Sequence, residues 1–201
     1  MYKFTMDFDP EHKVKNNFTS IFQTFGIPNI IVELGVFEGQ STVWLSDTFS
    51  RFNNNLKIHA VDPHVSSQDL EEFDFSDIQK NFLHNIKSTK FSNIIYHNCS
   101  STAALLSMIE EKISPEFIYV DGDHTAAQVL TDLVLSWQLL PKGGIILCDD
   151  AVRWKYKNKQ NVFLLQSCPR IAIDYFIHCN FEFLEILSLP NNRQMAFRKL
   201  I

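Results

Sequence analysis

The sequence is poor in the features that would mark it for export, metal clips or membranes. It has four cysteines, Cys99, Cys148, Cys168 and Cys179, and no two of them form a Cys-x-x-Cys pair. Cys99 and Cys148 lie in or beside apolar runs. This pattern predicts reduced thiols in a cytoplasmic protein and excludes a cysteine zinc site. No apolar run approaches transmembrane length, and MYKFTMDFDP at the amino end has no signal-peptide core. Positive charge is in deficit: the formal net charge is −5 and the pI about 5.8. That argues against a general nucleic-acid binder, and no Asn-Pro-Pro-Tyr-type amino-methylation motif occurs. The Gly-x-Gly-x-x-Gly dinucleotide fingerprint is also missing.

What is there centres on Asn29–Thr42, NIIVELGVFEGQST. Ile30, Ile31 and Val32 are an uncharged β-branched run, the pattern of a strand buried on both faces. Glu33-Leu34-Gly35 follows, then Gly39, then Ser41-Thr42 leading into Val43, Trp44 and Leu45. A buried strand thus runs into a glycine-bearing turn that opens a helix. Backbone can approach a ligand at such glycines, and helix-start N–H groups point at it. With Glu33 and Gly35 at the strand end, the turn suits a cationic ligand better than a pyrophosphate.

At 201 residues and 45% hydrophobic content the chain is large enough for a substantial core. We divide it into an N-terminal arm, residues 1–28, with a short helix over 15–25, and a single domain over 29–201. Eighteen phenylalanines can fill that core or line a pocket. Helices are expected at 41–52, 76–88 (with Ser76 as N-cap), 101–112, 125–140 and 162–178, the last one interruptible at Pro169. Strands are expected at 56–61, 93–98, 116–120 and 144–148, and 66–77 reads as a polar surface loop. A terminal antiparallel hairpin pairs 181–189 with 193–200 across Pro190-Asn191-Asn192. This alternation specifies an α/β fold: a mostly parallel, Rossmann-like sheet of seven strands with helices on both faces. Ligands of such sheets sit at the strands' carboxyl ends. Those ends read Glu33-Leu34-Gly35, Asp62, Asn98-Cys99-Ser100, Asp121-Gly122-Asp123-His124 and Asp149-Asp150, so four of the five carry carboxylates.

Glu-x-Gly-x-x-x-Gly, an Asp at the second strand end, a fourth-strand Asp and a helix closed by Pro141-Lys142-Gly143-Gly144 resemble the class I S-adenosyl-L-methionine-dependent methyltransferases. Val120-Asp121-Gly122-Asp123-His124 with Cys148-Asp149-Asp150 resembles the metal-dependent macrocin and aminocoumarin sugar O-methyltransferase group. The match runs in order from Asn29 to Asp150. It implies that Gly35 and Gly39 pass the methionine part of the cofactor. Glu33 would lie near its amino group, Ser41 would make a hydroxyl contact, and Asp62 would hold the ribose hydroxyls. A carboxylate at a strand end accepts two hydroxyls well. Ser100 and Ser101 fall where adenine is read, though both are also good helix caps. The resemblance further implies that Asp121, also a cofactor neighbour, Asp149 and Asp150 hold Mg2+ or another divalent cation. Three carboxylates from two strand ends would otherwise repel. The ion would clamp a substrate hydroxyl and lower its pKa, and Asp123, or secondarily His124, would take the proton.

The basic stretch from Arg153 to Lys159, with Trp154 and Tyr156, reads as a lid over an anionic acceptor or as a solvated loop. His64 either covers the cofactor or lies exposed. The expected function is O-methylation of a small molecule, a sugar or other natural product, with no nucleic-acid or membrane partner; assembly into a homo-oligomer is left open. The alternatives are a catalytically inactive cofactor-binding domain, a metal-independent methyltransferase, and a nicotinamide-dependent oxidoreductase.

Overall fold

The computed structural model describes residues 1–65, 74–149, 151 and 168–201. Chain order gives α1 (Lys13–Phe25), β1 (Ile30–Leu34), α2 (Gln40–Phe49), β2 (Lys57–Val61), α3 (Phe75–Ser88) and β3 (Ile94–His97). Then follow α4 (Ser101–Glu110), β4 (Phe117–Val120), α5 (Ala126–Leu139), β5 (Ile145–Cys148), α6 (Pro169–Cys179), β6 (Leu184–Leu187) and β7 (Met195–Lys199). The seven strands form one sheet in the order β3-β2-β1-β4-β5-β7-β6. The first five are parallel, while β7 runs antiparallel to both β5 and β6. The expected architecture is therefore the observed one.

The central strands are buried on both faces because alternate residues feed two helix layers. Ile31, Phe117, Tyr119, Ile145 and Leu147 pack with α1 and α2. Val32, Leu34, Ile118, Val120, Ile146 and Cys148 pack with α4, α5 and α6. Helix α1, read from sequence as part of an arm, lies within this core. Phe18 is fully buried and meets Phe117 and Tyr119 edge-on, with centroids 5.8 and 5.0 Å away. Burying one such side chain is worth about 1.5–3 kcal/mol, enough to fix the arm to the sheet. Its first residues are tied down too. Lys3 N donates to Asn85 Oδ1 at 2.7 Å, and Thr5 N and Oγ1 donate to Glu38 at 2.5 and 2.6 Å.

Some local expectations change. Asp74, not Ser76, caps α3: its side chain accepts from Ser76 N, and Phe75 is already helical. The orphan N–H groups of a first turn are capped by the residue just outside it, which is Asp74, whereas Ser76 is already the second helical residue. The terminal hairpin is shorter, because Phe181–Phe183 winds into a 3₁₀ turn before β6 begins. Pro169 opens α6 after a non-helical Cys168, at the position where a break was expected, since its missing N–H costs nothing at a helix start. The expected loop at 66–73 and the helix residues 162–167 lie outside the described residues. All four cysteines are free thiols. Among the described residues no helix is long and apolar enough to cross a membrane.

Candidate active site

The carboxyl ends of β2, β1, β4 and β5 lie side by side, and their first loop residues continue the ladder. Gly35 N donates to Val61 O, Asp121 N to Leu34 O, and Asp149 N to Val120 O, each at 2.9 Å. Gly35 has φ +82°, and a β-carbon there would lie 2.1 Å from Asp121 O and 2.5 Å from Gly122 Cα. The close approach that this glycine permits is therefore to the neighbouring strand's loop. It presses the β1 turn against Asp121-Gly122. Gly39, at φ +78°, is the residue from which α2 starts, and a β-carbon on it would crowd the Phe82 ring of α3 at 2.9 Å.

Glu33 is fully buried beneath the start of α2. One of its oxygens accepts from Ser41 Oγ and the other from Thr42 Oγ1, the latter at 2.6 Å. Burial pushes its pKa up from 4.5 to about 7; the two hydroxyls oppose that rise, and the charges of Asp121 and Asp62 add to it. The structure thus brings Glu33 and Ser41 together, as a support under the turn.

Asp62 secures the same turn from β2. Its Oδ2 accepts from Val36 N at 3.0 Å and Phe37 N at 2.9 Å, and its Oδ1 from His64 N at 2.7 Å. Each carboxylate oxygen can accept twice, so Oδ1 retains capacity for a ligand hydroxyl. His64 does not lie exposed. It is buried at φ +48°, with Nε2 2.7 Å from Phe37 O and Nδ1 2.7 Å from Tyr96 Oη. The carbonyl can only accept, so Nε2 carries the proton. The sequence reading missed this clasp, because Tyr96 and Phe37 come from elements far apart in the chain.

The serine pair behaves first as helix-end residues. Ser100 caps α4 by accepting from Ala103 N at 3.3 Å. Ser101 Oγ accepts from Gln128 Nε2 at 3.2 Å, and Gln128 also donates to Thr102 Oγ1 and Asp132 Oδ1.

On the β4 side, Asp123 Oδ1 accepts from Thr125 N at 2.7 Å just before α5. His124 Nε2 stands 3.7 Å from Asp121 Oδ1. Asp121 Oδ2 accepts from the buried Tyr119 hydroxyl at 2.9 Å. Burial, with Asp121 and Asp149 nearby, raises the Tyr119 pKa well above its ordinary value, which keeps it a donor.

Asp149 is buried and committed. Its Oδ1 accepts from Gln194 Nε2 at 2.8 Å and its Oδ2 from Arg193 Nη2 at 3.0 Å. Asp150 and the stretch Arg153–Lys159, including the expected lid, lie outside the described residues. Among the described residues no group of three or more His, Cys, Asp or Glu side chains is placed to hold a metal ion. Of the expected ligands, then, Asp149 as placed suits a metal poorly: both of its oxygens already accept a hydrogen bond, and the guanidinium of Arg193 at 3.0 Å repels a divalent cation there. Arg193 and Gln194 were not anticipated as site residues. The signal was available in the hairpin: an antiparallel β7 must begin where parallel β5 ends, and Met195 indeed pairs with Cys148.

The profile of a family described as a methyltransferase domain matches residues 32–151, more than half of the chain. Among solved structures, one of a Klebsiella pneumoniae protein provisionally assigned as an O-methyltransferase superposes with TM-score 0.70 at 13% identity. It covers 98% of this chain and 84% of that one. The O-methyltransferase of Bacillus cereus, in complex with S-adenosylhomocysteine, gives 0.66 at 18% identity, covering 98% and 84%. CalS11, a TDP-rhamnose 3′-O-methyltransferase of calicheamicin biosynthesis, gives 0.62 at 14%, covering 96% and 80%. No curated protein matches the sequence.

Proposed function

The chain belongs to the methyltransferase domain family, and from that premise we propose that it transfers a methyl group from S-adenosyl-L-methionine to a hydroxyl of a small molecule. The observation that carries this reading is the convergence of Glu33, Asp62 and Asp121 on one glycine turn. Burial raises the Glu33 pKa to about 7, and the negative charges of Asp121 and Asp62 add to that rise. A cationic ligand beside that turn relieves the repulsion, whereas an anionic dinucleotide worsens it. S-adenosylmethionine, with an ammonium and a sulfonium, has that character.

When bound, the cofactor supplies an electrophilic methyl group. The chain's own residues do the rest. Gly35 and Gly39 give the turn its shape, with Glu33, Ser41 and Thr42 bracing it from below. Asp62 offers Oδ1 to a ribose hydroxyl. Ser100 and Ser101 stand at the start of α4, where an adenine edge would be met. Asp123 takes the proton of the acceptor hydroxyl, with His124 beside Asp121 as its alternative. General-base help of this kind is worth about 10²–10⁴-fold, and alignment of the hydroxyl with the methyl group supplies a further large part. Metal assistance enters only if Asp149 is released from Arg193 and Gln194, and no step here depends on it. A sugar or other natural-product hydroxyl is the acceptor class we favour: CalS11 acts on a sugar, and the acidic surface suits neither nucleic acid nor membrane. The free thiols suit a cytoplasmic setting.

Calorimetry tests the reading. S-adenosylmethionine and S-adenosylhomocysteine should each bind once per chain. Absence of both, with tight binding of a nicotinamide dinucleotide instead, overturns it.

A further inference from the structure

The acidic strand ends need positive charge, and the structure finds it within the chain. Arg193 donates from Nη2 to Asp149, its Nη1 reaches Phe8 O at 3.2 Å, and its backbone N donates to Asn191 Oδ1 at 3.3 Å. The guanidinium is therefore fixed between the amino-terminal arm and the β6–β7 turn. Gln194 beside it is buried and oriented: Oε1 accepts from Asn17 Nδ2 at 2.9 Å, leaving Nε2 to donate to Asp149 and to Tyr119 Oη. Asn17 is itself fully buried on α1. Burial works against the charged guanidinium, and Asp149 more than offsets it, with Asp121 adding to the effect.

A metal ion cannot simply be added to this arrangement. A Mg2+ ion sits about 2.1 Å from its carboxylate oxygen. Arg193 Nη2 is 3.0 Å from Asp149 Oδ2. An ion on that oxygen would stand no more than about 5 Å from the guanidinium nitrogen, where like charges in a partly buried site repel strongly. Either Arg193 leaves or the ion stays out. Every contact that holds Arg193 and Gln194 favours the second.

We propose that Arg193 takes the place of a divalent cation at Asp149, so that this chain balances its strand-end carboxylates with a built-in guanidinium and binds no metal there. The proposal rests on the methyl-transfer reading only for the site's purpose; the charge balance is a property of the fold. It departs from the metal-dependent group that the sequence resembles, although Asp121 and Asp149 are both present. It also gives the amino-terminal arm a part in the site, since Phe8 and Asn17 hold the pair in register.

Mn2+ is the probe. In the full-length protein, its electron paramagnetic resonance signal should show no tight binding, and neither Mn2+ nor chelator should move the melting temperature. Arg193→Lys should behave the same way. Arg193→Gln leaves Asp149 buried without its counter-charge and should lower the melting temperature by about 5–10 °C, with Mn2+ now restoring part of the loss. One Mn2+ bound per wild-type chain and released by Asp149→Asn overturns the proposal. So does a folded Arg193→Gln protein as stable as wild type. If Arg193→Gln fails to fold, the wild-type and Arg193→Lys titrations still decide. Calorimetry with S-adenosylhomocysteine on the same samples keeps the two readings apart: no cofactor binding removes the methyl-transfer reading and leaves the Mn2+ result standing.

Discussion

A β-carbon on Gly35 would lie 2.1 Å from the carbonyl oxygen of Asp121. The β1–α2 turn and the β4–α5 loop are therefore in backbone contact, and one cannot shift without the other. Gly35→Ala adds a left-handed penalty of about 1–2 kcal/mol to that collision. The total loss should reach at least roughly 2–4 kcal/mol, read by urea unfolding, and S-adenosylhomocysteine binding should be lost in any fraction that folds. An alanine variant that keeps wild-type stability and affinity would show that the two loops move independently.

Asp62→Ala should affect both the turn and the ligand. Val36 N, Phe37 N and His64 N lose their acceptor, and a ribose hydroxyl loses a charged one. An affinity loss of about 1.5–3 kcal/mol is expected, or roughly 10- to 150-fold for S-adenosylhomocysteine by calorimetry. Unchanged affinity would mean that Asp62 serves the loop alone.

Glu33 should make stability depend on pH in an unusual direction. Folding raises its pKa from 4.5 to about 7 through burial. Between those values the folded chain holds a proton that the unfolded chain has released. Its contribution therefore declines as pH rises through that window and levels off above about 7, by at most roughly 3 kcal/mol. Glu33→Gln should flatten this part of the stability curve, measured by denaturant unfolding from pH 4.5 to 8. A variant whose curve matches wild type would show that Glu33 ionises normally.

Asp123→Asn should separate chemistry from binding. Asparagine can still accept from Thr125 N, so the start of α5 survives. Cofactor affinity should stay within a fewfold of wild type, while turnover with a hydroxyl acceptor falls by roughly 10²–10⁴-fold. A variant at full rate would pass the role of base to His124.

Much of this was legible in the sequence for a physical reason. Doubly buried strands must be uninterrupted apolar runs, and the helices between them must carry periodic apolar faces and caps. Ile30–Val32, Phe117–Val120 and Ile145–Cys148 announce themselves in that way, as do the glycines at 35 and 39. A parallel sheet then puts its loop carboxylates along one edge. Glu33, Asp62, Asp121 and Asp149 could thus be assigned to one site before any coordinates.

What those carboxylates do there was decided by partners on other elements and loops of the folded chain. Glu33 turned out to be buried under Ser41 and Thr42, Asp62 to brace Val36, Phe37 and His64, and Asp149 to face Arg193 and Gln194. A run of letters shows how many charges reach a strand end; it does not show which of them are already paired. Pairing depends on register and side-chain direction across elements, as when β7 enters beside β5 and brings Arg193 and Gln194 to Asp149. Local propensity and period thus settle the sheet and its acidic edge, whereas only tertiary packing sets the desolvation and neutralisation of each carboxylate. Those energies depend on distances of a few ångströms between residues up to 185 positions apart.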